Sequence, residues 1–74
     1  MKIFEFEIII EETITNEIAN DIYCVAPDTT CSVEYTGVSH IEFDRKSESL
    51  VEAVASAMQD VIDIGLTIET INIG

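Results

Sequence analysis

The chain has 74 residues, with fifteen acids against three Lys and Arg, one His and a formal charge of −12. That length bounds it to one domain, and a hydrophobic content of 47% excludes a disordered chain. So acidic a surface repels nucleic-acid phosphates and anionic membranes and attracts cations or basic proteins, and no apolar run approaches the roughly 18 residues of a membrane-spanning helix.

The first stretch, Lys2 to Ile10, alternates. Phe4, Phe6, Ile8 and Ile10 fall on one side, Glu5 and Glu7 on the other. This pattern predicts a half-buried strand with a dry face and a carboxylate-lined face. The glutamates interrupt its apolar character and no small-residue cleavage site follows, so it does not read as a signal peptide. A cytoplasmic location is the expectation.

A helix is predicted next. Thr13 or Thr15 offers the N-cap, and Glu17 sits near the positive end of the dipole. Ile14, Ile18, Ile22 and Val25 recur at helical spacing, and Pro27 ends the helix by Ala26. Asp28, Thr29 and Thr30 then read as turn chemistry. Cys31 to Phe43 reads as a hairpin around Gly37. A three-residue loop, Thr36 to Val38, pairs Tyr35 with Ser39, Val33 with Ile41 and Cys31 with Phe43, placing the large apolar groups on one side.

The second helix is the clearest element. Ser49 and Glu52 have capping-box spacing. Leu50, Val54, Ala57, Met58 and Val61 form an apolar stripe, widened by Val51, Ala55 and Ile62. Glu52, Gln59, Asp60 and Asp63 take the far side, and Gly65 is a natural C′ residue. Leu66 to Ile73 reads as a last strand whose alternation changes phase between Ile68 and Ile71, the mark of a bulge or a strand end. The order β-α-β-β-α-β predicts a single α+β domain over residues 1–74. It is a ferredoxin-like sandwich, with an antiparallel four-stranded sheet in spatial order 4-1-3-2 and both helices on one face. Phe4, Phe6, Ile8, Val33, Ile41, Phe43, Leu50, Val54, Met58 and Val61 form the expected core.

From Ile41 to Leu66 the pattern resembles a group of small uncharacterised bacterial proteins. The residues carrying the resemblance are Phe43-Asp44-Arg45, Ser49-Leu50, Glu52-Ala53, Asp60-Val61 and Gly65-Leu66, with the Pro27–Thr30 loop and Gly37-Val38. The resemblance implies a ferredoxin-like fold and a bacterial origin. It implies no activity, because these are mostly capping and packing residues.

The open face of the sheet holds the candidate functional residues. The alternation assigns Glu5 and Glu7 from the first strand and Ser32 and Glu34 from the second. His40, Glu42 and Asp44 come from the third, and Thr67 and Glu69 from the fourth. Glu5, Glu7, Glu34, His40, Glu42 and Glu69 are the candidate partner surface. Ile3, Ile9, Ile71 and Ile73 are expected to add apolar contact area beside it. Catalysis is not expected, because an open sheet face does not set two carboxylates in unlike environments. No cofactor or metal is expected either. Cys24 and Cys31 with one His fall short of a four-ligand zinc site, no EF-hand loop is present, and both thiols read as free.

The resulting expectation is a non-enzymatic interaction or regulatory protein. It pairs with itself as a homodimer, or with a basic protein, and binds neither nucleic acid nor membrane. The alternative is an ACT-like domain binding a small molecule near the first loop, Glu11 to Thr15, although that loop lacks glycine. A DNA mimic is a third reading of the same charge.

Overall fold

A computed structural model describes residues 1–73. Its elements are β1 (Lys2–Ile10), α1 (Asn16–Val25), β2 (Thr29–Val33), β3 (Ser39–Ser47), α2 (Leu50–Ile64) and β4 (Ile68–Ile73). The strands form one antiparallel sheet in the order β2-β3-β1-β4; taken from the opposite edge, that is 4-1-3-2. With two helices packed on the sheet, the α+β arrangement is consistent with a ferredoxin-like sandwich.

Local chemistry sets the helix ends. Thr15 caps α1 by accepting a bond from the Ile18 amide, and Ser49 caps α2 by accepting one from Glu52. Both satisfy amides that a helix N-terminus leaves without partners. At the far end of α2, Gly65 adopts a left-handed conformation, φ +95°, and its amide bonds back to Ile62. A side chain there would be strained, which is why a glycine ends the helix.

The core lies between the sheet and the helices. Phe6, Ile8 and Ile10 of β1 meet Ile41 and Phe43 of β3, with Ile22, Ala26, Ala53, Ala57, Val61 and Leu66 above them. The Phe6 and Phe43 rings stack at 5.2 Å between centroids. Phe4, Leu50, Val54 and Met58 are half-buried around this centre. The innermost line of α2 is Ala53-Ala57-Val61, so the helix is rotated from the predicted stripe. Val51 is 78% exposed, and Ala55 and Ile62 also face outward. Small alanines on the inner line let α2 lie close to the sheet, while longer side chains pack as flanks.

The hairpin differs from the predicted one. The observed pairs are Val33 with Ser39, Cys31 with Ile41 and Thr29 with Phe43. The Gly37 amide bonds to the Glu34 carbonyl, and the Glu34 amide bonds to the Val38 carbonyl. The three-residue loop is therefore Tyr35-Thr36-Gly37, one residue earlier than expected. Gly37 has φ +90° and fills the left-handed third position that such loops require. That backbone demand outweighs the apolar pairing. Tyr35 stands fully in solvent and Val33 is 44% exposed, so Val33 leaves the expected core.

The last strand carries the anticipated irregularity. Ile9 pairs with Thr70, but Ile10 pairs with Ile68, which leaves Glu69 as the bulged residue. The bulge moves Thr70 and Asn72 to the open face. Ile71 and Ile73 lie opposite Ile8 and Phe6 and share their helix-side face. They therefore do not join Ile3 and Ile9 as a greasy border of the acidic surface.

Candidate functional site: the acidic face of the sheet

The pleat of β1 and β3 builds this surface. Residues that alternate with the core positions point the other way. Glu5 lies opposite Asp44, Glu7 opposite Glu42 and Ile9 opposite His40. Directly opposed side chains have Cβ atoms about 4.5–5.5 Å apart. Two acid–acid pairs thus sit next to each other at the centre of the sheet. Glu5, Glu42 and Asp44 are exposed and have no Lys, Arg or His within ion-pair distance among the described residues. A shallow depression between the central strands is lined by Glu5, Glu7, Glu42, Asp44 and Asn72, with Phe6 and Phe43 beneath.

His40 organises the other end of the face. Its Nδ1 lies 3.1 Å from Glu7 Oε2, and its Nε2 lies 3.4 Å from Glu34 Oε1. Nε2 is buried and forms an ion-pair contact there without hydrogen-bond geometry. The hydrogen bond to Glu7 raises the His40 pKa above its ordinary value; partial burial opposes this, and Glu34 adds to the rise. Glu7 Oε1 accepts a bond from Asn72 Nδ2 at 2.8 Å. That bond, followed by the one with His40, holds the Glu7 carboxyl below the usual range.

Of the six predicted surface residues, Glu5, Glu7, Glu34, His40 and Glu42 come together on this face. Glu69 does not join the paired ladder, because it is the exposed residue of the bulge. Thr67 precedes β4 and holds the Glu11–Thr15 loop instead. Its carbonyl accepts from the Glu11 amide, and its own amide donates to Glu12 Oε1. Asn72 was missed because the bulge that turns it outward also inverts the phase of the strand.

The other charged cluster is structural. Arg45 grips Asp28 with a two-pronged contact, Nε to Oδ2 at 2.8 Å and Nη2 to Oδ1 at 2.9 Å. Its Nη1 reaches Asp60 Oδ2 at 2.9 Å and Ser56 Oγ at 3.1 Å. The guanidinium also lies 5.1 Å from the centroid of the Phe43 ring. Asp60 therefore turns inward from the far side of α2, against expectation. The contact ties the turn before β2 to β3 and α2, and the Arg45 bond is the main cause that depresses the Asp28 pKa. Arg45 lies opposite Phe4 on the helix side of β3, so it does not neutralise the acidic face.

The thiols form no joint site. Cys24 is exposed and Cys31 half-buried, both free. Burial pushes the Cys31 thiol up, the opposite of an activated nucleophile. No cluster of three or more His, Cys, Asp or Glu with metal-binding geometry occurs among the described residues, and no helix of the described residues is long and apolar enough to cross a membrane. The first loop is engaged by its own chain. The Ile14 amide donates to Ser39 Oγ at 2.9 Å, and Thr13 Oγ1 lies 3.4 Å from the Gly37 carbonyl. No family model, curated protein or solved structure matches the chain.

Proposed function

We propose that the protein is a small, non-enzymatic bacterial interaction module of the cytoplasm whose open sheet face receives a basic protein segment. The observation that supports this most is the juxtaposition of Glu5 with Asp44 and of Glu7 with Glu42 on the two central strands, where only Glu7 has a His, Lys or Arg within ion-pair distance among the described residues. Like charges so placed lower stability. Lysine or arginine side chains from a partner would remove that repulsion and gain charge-assisted bonds. The sheet holds the carboxylates on a rigid platform, which limits the ordering cost of binding. Self-association is part of the same reading, although the acidic face is poorly suited to meeting a copy of itself.

The ACT-like alternative would place a ligand at the first loop. There the Glu11 and Ile14 amides and the Glu12 carboxylate are already bonded within the chain, which disfavours that reading.

The test compares charge-matched variants. Calorimetric titration with a lysine-rich peptide is carried out on the wild type, on E5Q/E42Q and on E17Q/E52Q, which neutralises two helix acids. Loss of affinity in the first variant only is the expected result. Equal loss in both would reduce the effect to net charge and remove the site.

A further inference from the structure

The two edges of the sheet are unlike. The β4 edge carries a bulge and Glu69, both features that discourage another strand from adding. The β2 edge, Thr-Thr-Cys-Ser-Val from Thr29 to Val33, has no bulge, proline or charge. In a chain with a formal charge of −12, this edge strand is itself uncharged, so two copies can approach along it with acids only at its flanks, Asp28 and Glu34.

The backbone bonds show what this edge offers. The Asp44 amide bonds to the Asp28 carbonyl, and the Glu34 amide to the Val38 carbonyl. Bonded pairs alternate along an antiparallel ladder, so Thr30 and Ser32 also direct their backbone groups inward to β3. Thr29, Cys31 and Val33 direct theirs outward. No hydrogen bond to these outward groups occurs among the described loops and caps.

We propose that β2 is a self-pairing strand: two copies join antiparallel about a two-fold axis beside Cys31, fusing their sheets. In that register Cys31 faces the partner's Cys31, and Thr29 faces the partner's Val33, each pair exchanging backbone bonds. Thr30 and Ser32 bring hydroxyls together on the open side. Asp28 comes opposite the partner's Glu34; Asp28 is held by Arg45 of its own chain, and Glu34 lies 3.4 Å from His40 Nε2, which offsets its charge when the ring is protonated. The exposed Val33 and Tyr23 would be covered on the helix side. The fused sheet also carries two acidic faces side by side, so the pairing deepens the interaction reading without depending on the acidic face binding anything.

Sedimentation velocity of the wild type should show a monomer–dimer equilibrium in the micromolar range. Amide exchange by NMR should show Thr29, Cys31 and Val33 protected at high concentration and open on dilution. Val33→Pro removes only an outward amide, so it should leave the β2–β3 ladder intact and raise the dimer dissociation constant more than about tenfold. Val33→Lys should do the same by placing a charge on the edge, and it decides the matter if the proline variant fails to fold. A wild type that stays monomeric throughout, or a dimer unmoved by both variants, would overturn the proposal. Dispersal by Ile3→Lys alone would move the contact to the open face and also overturn it. Protection that arises only with the lysine-rich peptide would assign the edge to a peptide strand instead. Peptide affinity tests the acidic face separately, so the two readings can fail independently.

Discussion

His40 is the residue on which the electrostatics of the open face turn. Its pKa is raised by Glu7 on one side and Glu34 on the other. A raised folded-state value means that its stabilising contribution is fully present below the unfolded value of about 6.5, and it disappears as pH rises through the folded value. Glu7 has a depressed value, so its contribution is present above the ordinary carboxylate range and lost as pH falls through the folded value. The pair therefore helps most between the two titrations. NMR titration should place His40 above about 6.5 in low salt, and Glu7→Gln should lower it. A value at or below the unfolded one would show that the imidazole does not sit between two carboxylates. Arg45 gives a second test at this scale. Arg45→Ala would leave Asp28 and Asp60 without their shared cation, at an expected cost of about 2–3 kcal/mol in urea melts. That is less than for a fully buried pair, because both carboxylates remain partly wet. Arg45→Lys should recover only part of it, since an ammonium cannot make the two-pronged contact with Asp28. The sequence placed Asp60 on the far side of α2 and gave Arg45 no partner; their contact depends on how α2 is rotated over the sheet.

At the scale of the elements, the faces of β1, β2 and β3 could be read from alternation, but the face of β4 past its bulge and the hairpin register could not. The odd residues of β2 and β3 share the helix side, as expected, while the pairing is displaced by the glycine at the third loop position. Gly37 has room around its Cα, with Thr13 Oγ1 the nearest side-chain atom at 4.0 Å from an added Cβ. Gly37→Ala should therefore cost about 1–2 kcal/mol from backbone conformation alone, measurable as a lower urea midpoint. An unchanged midpoint would mean that the loop does not need a left-handed residue there. In α2 the caps at Ser49 and Gly65 were evident from residue type. The inner line was not, because Val51 and Ile62 look as apolar as Val54 and Val61, and only packing against β1 and β3 separates them. Met58 is half-buried, so Met58→Ala should cost about 1–2 kcal/mol, below the range of about 2–5 for fully buried sites. Phe43, buried and stacked on Phe6, should cost about 3–5 kcal/mol as alanine, enough to unfold much of so small a domain.

For the whole molecule, charge decides the behaviour. Of the three Lys and Arg, Arg45 is consumed within the fold, so added salt should stabilise the protein by screening the remaining acids. The melting temperature should rise with sodium chloride, and a fall would show that attractive pairs outweigh the repulsion. The acidic character of the face was evident from composition and alternation together, and five of its six anticipated residues meet there. Its inward end was not, because a bulge in β4 exchanged Glu69 for Asn72 on the ladder. The measurement that bears most directly on function is amide chemical-shift mapping with a lysine-rich peptide at low and high salt. Shifts should concentrate at Glu5, Glu7, His40, Glu42 and Asp44 and collapse at high salt. Shifts centred instead on the outer acids of α2, or spread evenly over the surface, would contradict a partner site on the acidic face.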